Sequence, residues 1–443
     1  MIDTKEHADI DTLTGVTLKT GFAVKKDVDP RAVDPKKYYR WPWSLTDNGI
    51  SWLEVTTSCN LECEGCYRPR VGGHKSIEEI AEDLVVFKRE RKSDSMSIAG
   101  GDPLVHPKIV EIVKMVKAGG WKPIINTNGL GLTPKLLTEL KAAGAFGFTF
   151  HVDTSQDRRD SLVKTELEHN QLRHKFAEMV AQEGGMICSF NQTVTSDTIT
   201  QIPDVLNWAK KHPDIVNSIV FILYREPRLF GEFDFFANGA KIPLTATYEE
   251  TKKQRWGGDR ALKAPEVVAK IREVIPEYEP SAYLNGTEDA NSMKWLIATR
   301  ICNSEKTFGF ATPRFQEWVQ QINRLQYGKW MAYSSPSLLS AGRTSLFLFS
   351  LIDKTMRSHL MTYLKYVFAN PLRLFKKSWI QSIAIIQPVD FLPDGRMNMC
   401  DGCPDMTVYK GKMYWSCRLE EIKDHGVWVT ACHKNQVKTP CNS

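Results

Sequence analysis

The sequence predicts an α/β protein: a partial parallel barrel of six βα units, then a mostly helical insert, then a small cysteine-bearing module. Three observations predict it. Short apolar runs of strand character alternate with helical patterns from residue 51 to residue 225. The alternation then stops, and residues 226–380 read as mostly helical with irregular joins. One more strand-like run follows, and residues 381–443 gather a second group of cysteines.

Residues 1–50 carry little pattern and read as a lead-in; the aromatic run "YYRWPW" suits an extended segment that packs on something larger. From residue 51 the strand-like runs are "SWLEVTT" (51–57), "SMSIAGG" (95–101), "PIINTNG" (123–129), "GFTFHVD" (147–153), "MICSFNQTV" (186–194) and "SIVFILY" (218–224). Between them lie "SIEEIAEDLVVFKRE", "KIVEIVKMVKAG", "PKLLTELKAAG", "ELEHNQLRHKFAEMVAQEGG" and "QIPDVLNWAKKH", whose apolar residues recur at three and four. Strands that alternate with helices pair in parallel through right-handed crossovers. Six units are too few for a full eight-fold barrel and suit an open, curved one. In such folds the chemistry sits at the C-terminal ends of the strands. The final run, "SIAIIQPVD" (382–390), reads as a strand that opens the cysteine-bearing module.

Composition sets limits. Of 443 residues 42% are hydrophobic and 25% charged, which is ordinary for a globular chain and excludes disorder. A net charge of +6 is mild at this length and does not imply nucleic acid. No stretch of 18 apolar residues spans a bilayer, and no early segment has the make-up of a secretion signal. The expectation is a cytoplasmic protein.

Against that background "SCNLECEGCY" (58–67) asks for an explanation, because it places Cys59, Cys63 and Cys66 directly after the first strand. A disulfide, a zinc knuckle and an iron–sulfur cluster compete. A reducing compartment disfavours the disulfide. Structural zinc usually joins two cysteine pairs, whereas this is one C-x3-C-x2-C triplet with no histidine or fourth cysteine nearby. Three thiolates on a [4Fe-4S] cluster leave one iron open to an outside ligand, which suits reactivity better than electron transfer alone.

"CNLECEGC" after a first barrel strand resembles the signature of the radical S-adenosylmethionine (SAM) family. The resemblance implies a partial (β/α)6 barrel over residues 51–225 and a [4Fe-4S] cluster on Cys59, Cys63 and Cys66. It also implies SAM on the open iron, reductive cleavage to a 5′-deoxyadenosyl radical, and an electron donor such as flavodoxin or ferredoxin. Gly100, Gly101, Asp102 and Pro103 stand where the family has a Gly-Gly-Glu stretch beside the methionine amino group; Asp102 replaces the usual Glu. Asn126 and Asn128 lie in "NTNG", a recurrent segment near SAM. His151, Asp153 and Ser155 end the fourth strand, with Asp153 and Ser155 placed for the ribose hydroxyls. Asn191 ends the fifth strand with Gln192 and suits the ribose or the methionine carboxylate, as does Arg158 or Arg159. Gly65 stands where the family has an aromatic residue near the adenine; Tyr67, just after the third cysteine, is the ring available.

Cys400, Cys403 and Cys417 read C-x2-C-x13-C and resemble the auxiliary-cluster modules of the same family, the short "twitch" and the longer "SPASM". One auxiliary [4Fe-4S] cluster is expected, with Cys432 or Cys441 as a fourth ligand if it is closed. A structural zinc on four of these five cysteines is the alternative.

Residues 324–378 carry nine Lys or Arg against the single acid Asp353, interleaved with many large apolar residues. Such a surface suits a membrane interface or a lipid-like or phosphate-bearing substrate; a helical lid with a solvated charged face is the alternative. The functional expectation is hydrogen abstraction from an unactivated C–H bond, giving oxidation or bond formation on an amphipathic or anionic small molecule. A maturase of ribosomal peptides, and a non-enzymatic zinc or iron–sulfur module, are the competing readings. The partners expected are that substrate (small-molecule, lipid-like or peptide) and the electron donor, with peripheral membrane contact left open.

Overall fold

The computed structural model describes residues 31–63, 66, 68, 72–156, 158, 163–224, 233–243, 262–284, 289–391 and 397–434. After β1 (Tyr39–Arg40), six strands follow: β2 (Ile50–Thr56), β3 (Ser95–Gly100), β4 (Lys122–Thr127), β5 (Gly147–His151), β6 (Ile187–Val194) and β7 (Ser218–Leu223). All neighbours from β2 to β7 pair in parallel and in sequence order. Five helices make the crossovers: α1 (Ile77–Glu90), α2 (Ile109–Ala118), α3 (Pro134–Ala142), α4 (Glu166–Glu183) and α5 (Ile202–Lys211). The six predicted strands and the five helical patterns between them are therefore present.

Local chemistry sets the helix starts. Ser76 and Glu79 close a capping box on α1, and Thr165 and Glu168 do the same on α4. One face of each strand then meets the helices. Leu53, Ile98, Phe148, Phe150 and Phe190 are all about fully buried there, each contributing roughly 1.5–3 kcal/mol of burial.

Past residue 225 the chain holds more strand than the pattern predicts. β8 (Phe233–Ala237) and β9 (Ala240–Ile242) form a small hairpin, and α6 (Ala264–Val274) follows. β10 (Ala282–Leu284), β11 (Trp295–Cys302) and β12 (Thr307–Phe310) then extend the main sheet with antiparallel pairings. β11 was hidden in sequence because Thr299 and Arg300 interrupt its apolar run. Arg300 is nonetheless buried, and its guanidinium donates to Gln381 (2.7 Å) and Thr307 (2.6 Å). Helices α7 (Pro313–Tyr327), α8 (Pro336–Leu339), α9 (Gly342–Ser350) and α10 (Lys354–Ala369) come next. β13 (Trp379–Ile386), the strand assigned in sequence to the C-terminal module, sits in the main sheet instead, parallel to β7 and antiparallel to β11. The result is an 11-stranded sheet in the order β1-β10-β11-β13-β7-β6-β5-β4-β3-β2, with β12 on β11.

The two ends of this sheet come together, since Trp43, Ile50 of β2 and Leu284 of β10 form one buried cluster. Gly402 closes that seam. A Cβ there would lie 2.4 Å from the Trp43 carbonyl oxygen and 3.0 Å from Leu284, so no larger residue fits. At the N-terminal end of the strands Leu339 and Tyr333 pack on Ile124 and Ile187, and the Tyr333 hydroxyl meets Ser97 and Thr149. Three short pairings remain near the C-terminal end. β14 (Asp390–Phe391) meets β15 (Met397–Asn398), and β16 (Met406–Tyr409) meets β17 (Lys412–Trp415). After α11 (Leu419–His425), β18 (Thr430–His433) pairs with β8.

Candidate active site at the C-terminal ends of the strands

The cysteine loop starts where β2 stops. Its two ends are tied together: the Thr56 hydroxyl donates to the Gly73 carbonyl (2.7 Å) and the Thr57 hydroxyl to that of Gly72 (2.7 Å). The loop after β3 then clasps it, with Gly101 N–H donating to Thr56 O (2.8 Å) and Asp102 N–H to Ser58 O (2.9 Å). A Cβ on Gly100 would lie 2.2 Å from Thr56 O, and one on Gly101 2.1 Å from Ser58 O. Gly100 also takes a φ of 135°, open to glycine and rarely to others. The close approach expected of this pair is made to the backbone of the cysteine loop itself.

Asp102 fastens the next strand to this clasp. Its Oδ1 accepts from Leu104 N–H (2.9 Å) and its Oδ2 from Asn128 N–H (2.8 Å), while the Thr127 hydroxyl reaches both oxygens. Burial pushes the carboxyl up from its usual range, against these donors and the nearby Arg158. Pro103 opens a 3-10 turn over Pro103–Val105 that Asp102 caps. Asn128 in turn donates to Asn60 Oδ1 (2.7 Å) inside the cysteine loop, and its Nδ2 lies 4.0 Å from Cys59 Sγ. Arg158 donates to the Asn128 carbonyl (2.9 Å) and is buried beside it. Burial raises the Cys59 thiol pKa; Asp102 and Cys66 are close enough to add to that rise.

On β5 and β6 the register pairs His151 with Asn191, so both face the inside of the sheet, while Gln192 faces the other side with Phe190. Asp153 is fully buried and already engaged: it accepts from His151 Nε2 (2.7 Å), Thr193 N–H (2.7 Å), Ser155 N–H (3.0 Å) and the Ser155 hydroxyl. Burial alone would lower the His151 pKa, but the Asp153 carboxylate outweighs it and holds the imidazole above its usual value. Burial would raise Asp153, and His151, Ser155 and Thr193 pull it well below the carboxylate range. Asp153 and Ser155, expected on the ribose, are thus occupied with each other and with His151. Beneath them Arg173 pairs with Glu166, both fully buried, and donates to the Val152 carbonyl (2.7 Å); Glu166 accepts from Thr154 N–H (2.8 Å). Asn126 Nδ2 is buried with no partner among the described residues, one position before the end of β4. Tyr67 and Arg159 lie outside the described residues.

Cys59, Cys63 and Cys66 are partly exposed. Among the described residues no three His, Cys, Asp or Glu side chains are drawn together as a metal site. The donor chemistry nevertheless fits an iron–sulfur cluster: three thiols in one loop, fixed at both ends and held to the end of β4 through Asn128.

The Cys400–Cys403 part of the second cysteine group is anchored near the start of β2, at the other end of that strand from the first cysteine loop. Cys403 is buried beside Cys400; that neighbouring thiol and burial raise its pKa. The buried Arg91 donates to the Cys403 carbonyl (2.6 Å), and Asn48 donates to that of Gly402 (2.8 Å). Arg68, two residues after Cys66, pairs with Glu54 of β2 and with Glu420 (3.4 Å), and donates to the Ser416 hydroxyl (2.7 Å). It therefore bridges the first cysteine loop to the segment carrying Cys417. Burial pushes Asp405 up to about 6, with Arg91 and Arg68 acting against that rise. Sequence alone did not single out Arg68, Arg91, Glu54 or Asp405; only the spacing of Arg68 from Cys66 hints at it. Cys432 lies on β18, paired with β8, and is disulfide-bonded in this structure. Cys441 lies outside the described residues.

Comparison with known proteins agrees with this geometry. Residues 53–209 match the family model described as the radical SAM superfamily. Residues 53–209 thus form a radical SAM domain, and that family implies a [4Fe-4S] cluster and SAM. It is 31% identical over 107 residues to an AdoMet-dependent heme synthase from Methanosarcina barkeri, covering 24% of this chain and 30% of that protein. It is 27% identical over 179 residues to a probable GTP 3′,8-cyclase from Methanococcus maripaludis, covering 39% of this chain and 59% of that one. The human molybdenum cofactor biosynthesis protein 1 matches at 23% over 323 residues, 70% of this chain and 42% of that protein. The chain thus spans between about a third and three fifths of these relatives. Among solved structures, methylornithine synthase superposes with a TM-score of 0.35 at 14% identity, over 52% of this chain and 63% of that one. Among the described residues no helix is long and apolar enough to cross a membrane.

Proposed function

We propose that this chain is a radical SAM oxidoreductase acting on an unactivated C–H bond of an amphipathic or anionic substrate. Cys59, Cys63 and Cys66 would hold a [4Fe-4S] cluster, which would supply the one-electron chemistry that cleaves SAM for hydrogen abstraction. The protein's own task is to bind, orient and keep out water. Gly100 and Gly101 fix the cysteine loop against β3. Asn128, held by Asp102, positions the Cys59 end of that loop. Asn126 Nδ2 and Asn191 face the inside of the sheet as hydrogen-bonding groups for the cofactor. Arg158 is the cation for the methionine carboxylate, and Asp153 orients His151 at the mouth. Residues 51–225 form the SAM-binding unit. Cys400, Cys403 and Cys417 would hold an auxiliary iron–sulfur cluster, which would supply a one-electron acceptor for substrate oxidation, with a flavodoxin or ferredoxin as the electron donor to the first cluster.

The observation that supports this most is the clasp: a three-cysteine loop at the end of the first parallel strand, locked by Gly100 and Gly101, within the segment that matches the family. The test is anaerobic purification with iron and sulfide counting, followed by equilibrium SAM binding. About four irons should depend on Cys59, Cys63 and Cys66. Stoichiometric zinc without sulfide would refute the proposal.

A further inference from the structure

Helices α9 and α10 form an antiparallel hairpin whose inner face is ordinary core. Leu346, Met356, Tyr363 and Tyr366 pack on Ile301, Phe308 and Phe315. The outer face is not ordinary. On α9, Arg343, Phe347 and Leu351 recur at four-residue steps, and Leu351 is 75% exposed. On α10 the outward positions include Met361, Lys365 and Phe368, the last 79% exposed. The 3-10 turn Pro371–Phe375 that follows α10 presents Leu372 at 72% and Phe375 at 84% exposure. It adjoins the start of α9, where Arg343 donates to the Leu374 carbonyl (3.0 Å). Exposed apolar residues scattered singly need no account, but this many on one hairpin mark an interaction surface.

Charge says what covers it. Residues 342–377 contain seven Lys or Arg and one acid, Asp353, a net +6 that equals the net charge of the whole chain. The rest of the protein is therefore neutral in sum. Asp353 is taken up as the cap of α10 and by the Thr312 hydroxyl (2.6 Å), and Glu305 meets Lys376 and Arg373 at the edge. A second copy on this face would set one basic surface against another. Alkyl and aromatic tips among Lys and Arg match lipid tails beneath anionic headgroups, which accept from basic side chains in any orientation.

We infer that the α9–α10 hairpin and the turn Pro371–Phe375 are a docking surface for an anionic membrane, set into the headgroup layer by Leu351, Phe368, Leu372 and Phe375. This rests on the amphipathic or anionic substrate class proposed above, and it brings such a substrate to the enzyme at the bilayer surface. Its test does not depend on catalysis. The full-length, cluster-loaded protein is sedimented with phosphatidylcholine vesicles, with and without phosphatidylserine. Each basic side chain near an anionic surface is worth about a fivefold gain in binding. Binding should favour the anionic vesicles by at least about tenfold and weaken with added salt. Lys365→Gln with Lys377→Gln should lower binding to anionic vesicles by on the order of tenfold and flatten the salt dependence. Leu372→Ser with Phe375→Ser, both exposed, should lower it further without changing iron content or thermal stability. Equal absence of binding to both vesicles overturns the inference, as does binding indifferent to charge and to both variants. So does a concentration-dependent dimer that Phe375→Ser dissolves, which would make the face a self-interface. None of these results bears on SAM cleavage, whose loss would instead count against the proposed function.

Discussion

Replacing Asp102 with Asn should destabilise the fold and loosen the cofactor site together. The carboxylate has two oxygens, and each faces a different backbone donor: Leu104 N–H at Oδ1 and Asn128 N–H at Oδ2. An amide has one oxygen. Whichever way it turns, its NH2 group meets a backbone N–H, leaving that buried donor without a partner at a cost of about 1–3 kcal/mol. The remaining bonds lose their charge assistance, roughly halving their strength. Relief from burying a charge offsets part of this, because burial already raises the Asp102 pKa. The net expectation is about 2–3 kcal/mol, against a typical total of about 5–15 kcal/mol, so the variant stays folded. Thr127→Val leaves the Leu104 and Asn128 N–H groups satisfied but removes the acceptor of Gly129 N–H (3.0 Å), so it should cost about 1–2 kcal/mol, less than Asp102→Asn. Denaturant midpoints of wild type, Asp102→Asn and Thr127→Val give the ranking, and equilibrium dialysis of SAM gives the site. Asn128 loses its anchor to Asp102, so SAM affinity should fall with stability in the first variant. Wild-type midpoint and affinity in Asp102→Asn would refute the reasoning.

Three further outcomes are expected. Arg173→Met strands the buried Glu166 carboxylate and should cost about 3–5 kcal/mol by chemical denaturation, while adding Glu166→Gln should restore part of it. The His151–Asp153 pair should give stability that is fully present below the unfolded His value of about 6.5 and lost as pH rises through the raised His151 pKa. On the acid side, Asp153's contribution is present above about 3.9 and lost as pH falls through its depressed pKa. Urea midpoints from pH 6 to pH 9, as a guide to that His titration, should therefore fall in wild type and not in Asp153→Asn; parallel curves would count against the pair. Changing Cys400, Cys403 and Cys417 to Ala should remove one set of irons and leave SAM cleavage uncoupled from product, whereas unchanged iron with bound zinc in the wild type would mark a structural site.

The parallel strands and the cysteine triplet were readable in sequence for a physical reason. Both are local: alternating periods of two and 3.6 mark strands and helices, and three thiols in one loop announce themselves. What escaped was long-range. β11 is buried on both sides, yet Arg300 within it looks like a break until Gln381 and Thr307 are seen to satisfy it. β13 reads as the start of a separate module, but its register with β7 puts it inside the main sheet. Gly100 and Gly101 were legible as a close-approach site, although their neighbour proves to be the cysteine loop. Asp153 was legible as a residue of the strand end, while its four donors, one of them from β6, were not. Arg68 gave almost no signal, because its partners Ser416 and Glu420 lie about 350 residues away.

The central claim is that Cys59, Cys63 and Cys66 support reductive cleavage of SAM. The direct measurement is 5′-deoxyadenosine released after anaerobic reconstitution with iron and sulfide, addition of SAM, and reduction. The wild-type protein should form it, and the variant with all three cysteines changed to Ala should form none while folding normally by circular dichroism. Continued 5′-deoxyadenosine formation by that variant, or none from a wild-type protein that holds its irons, would contradict the account.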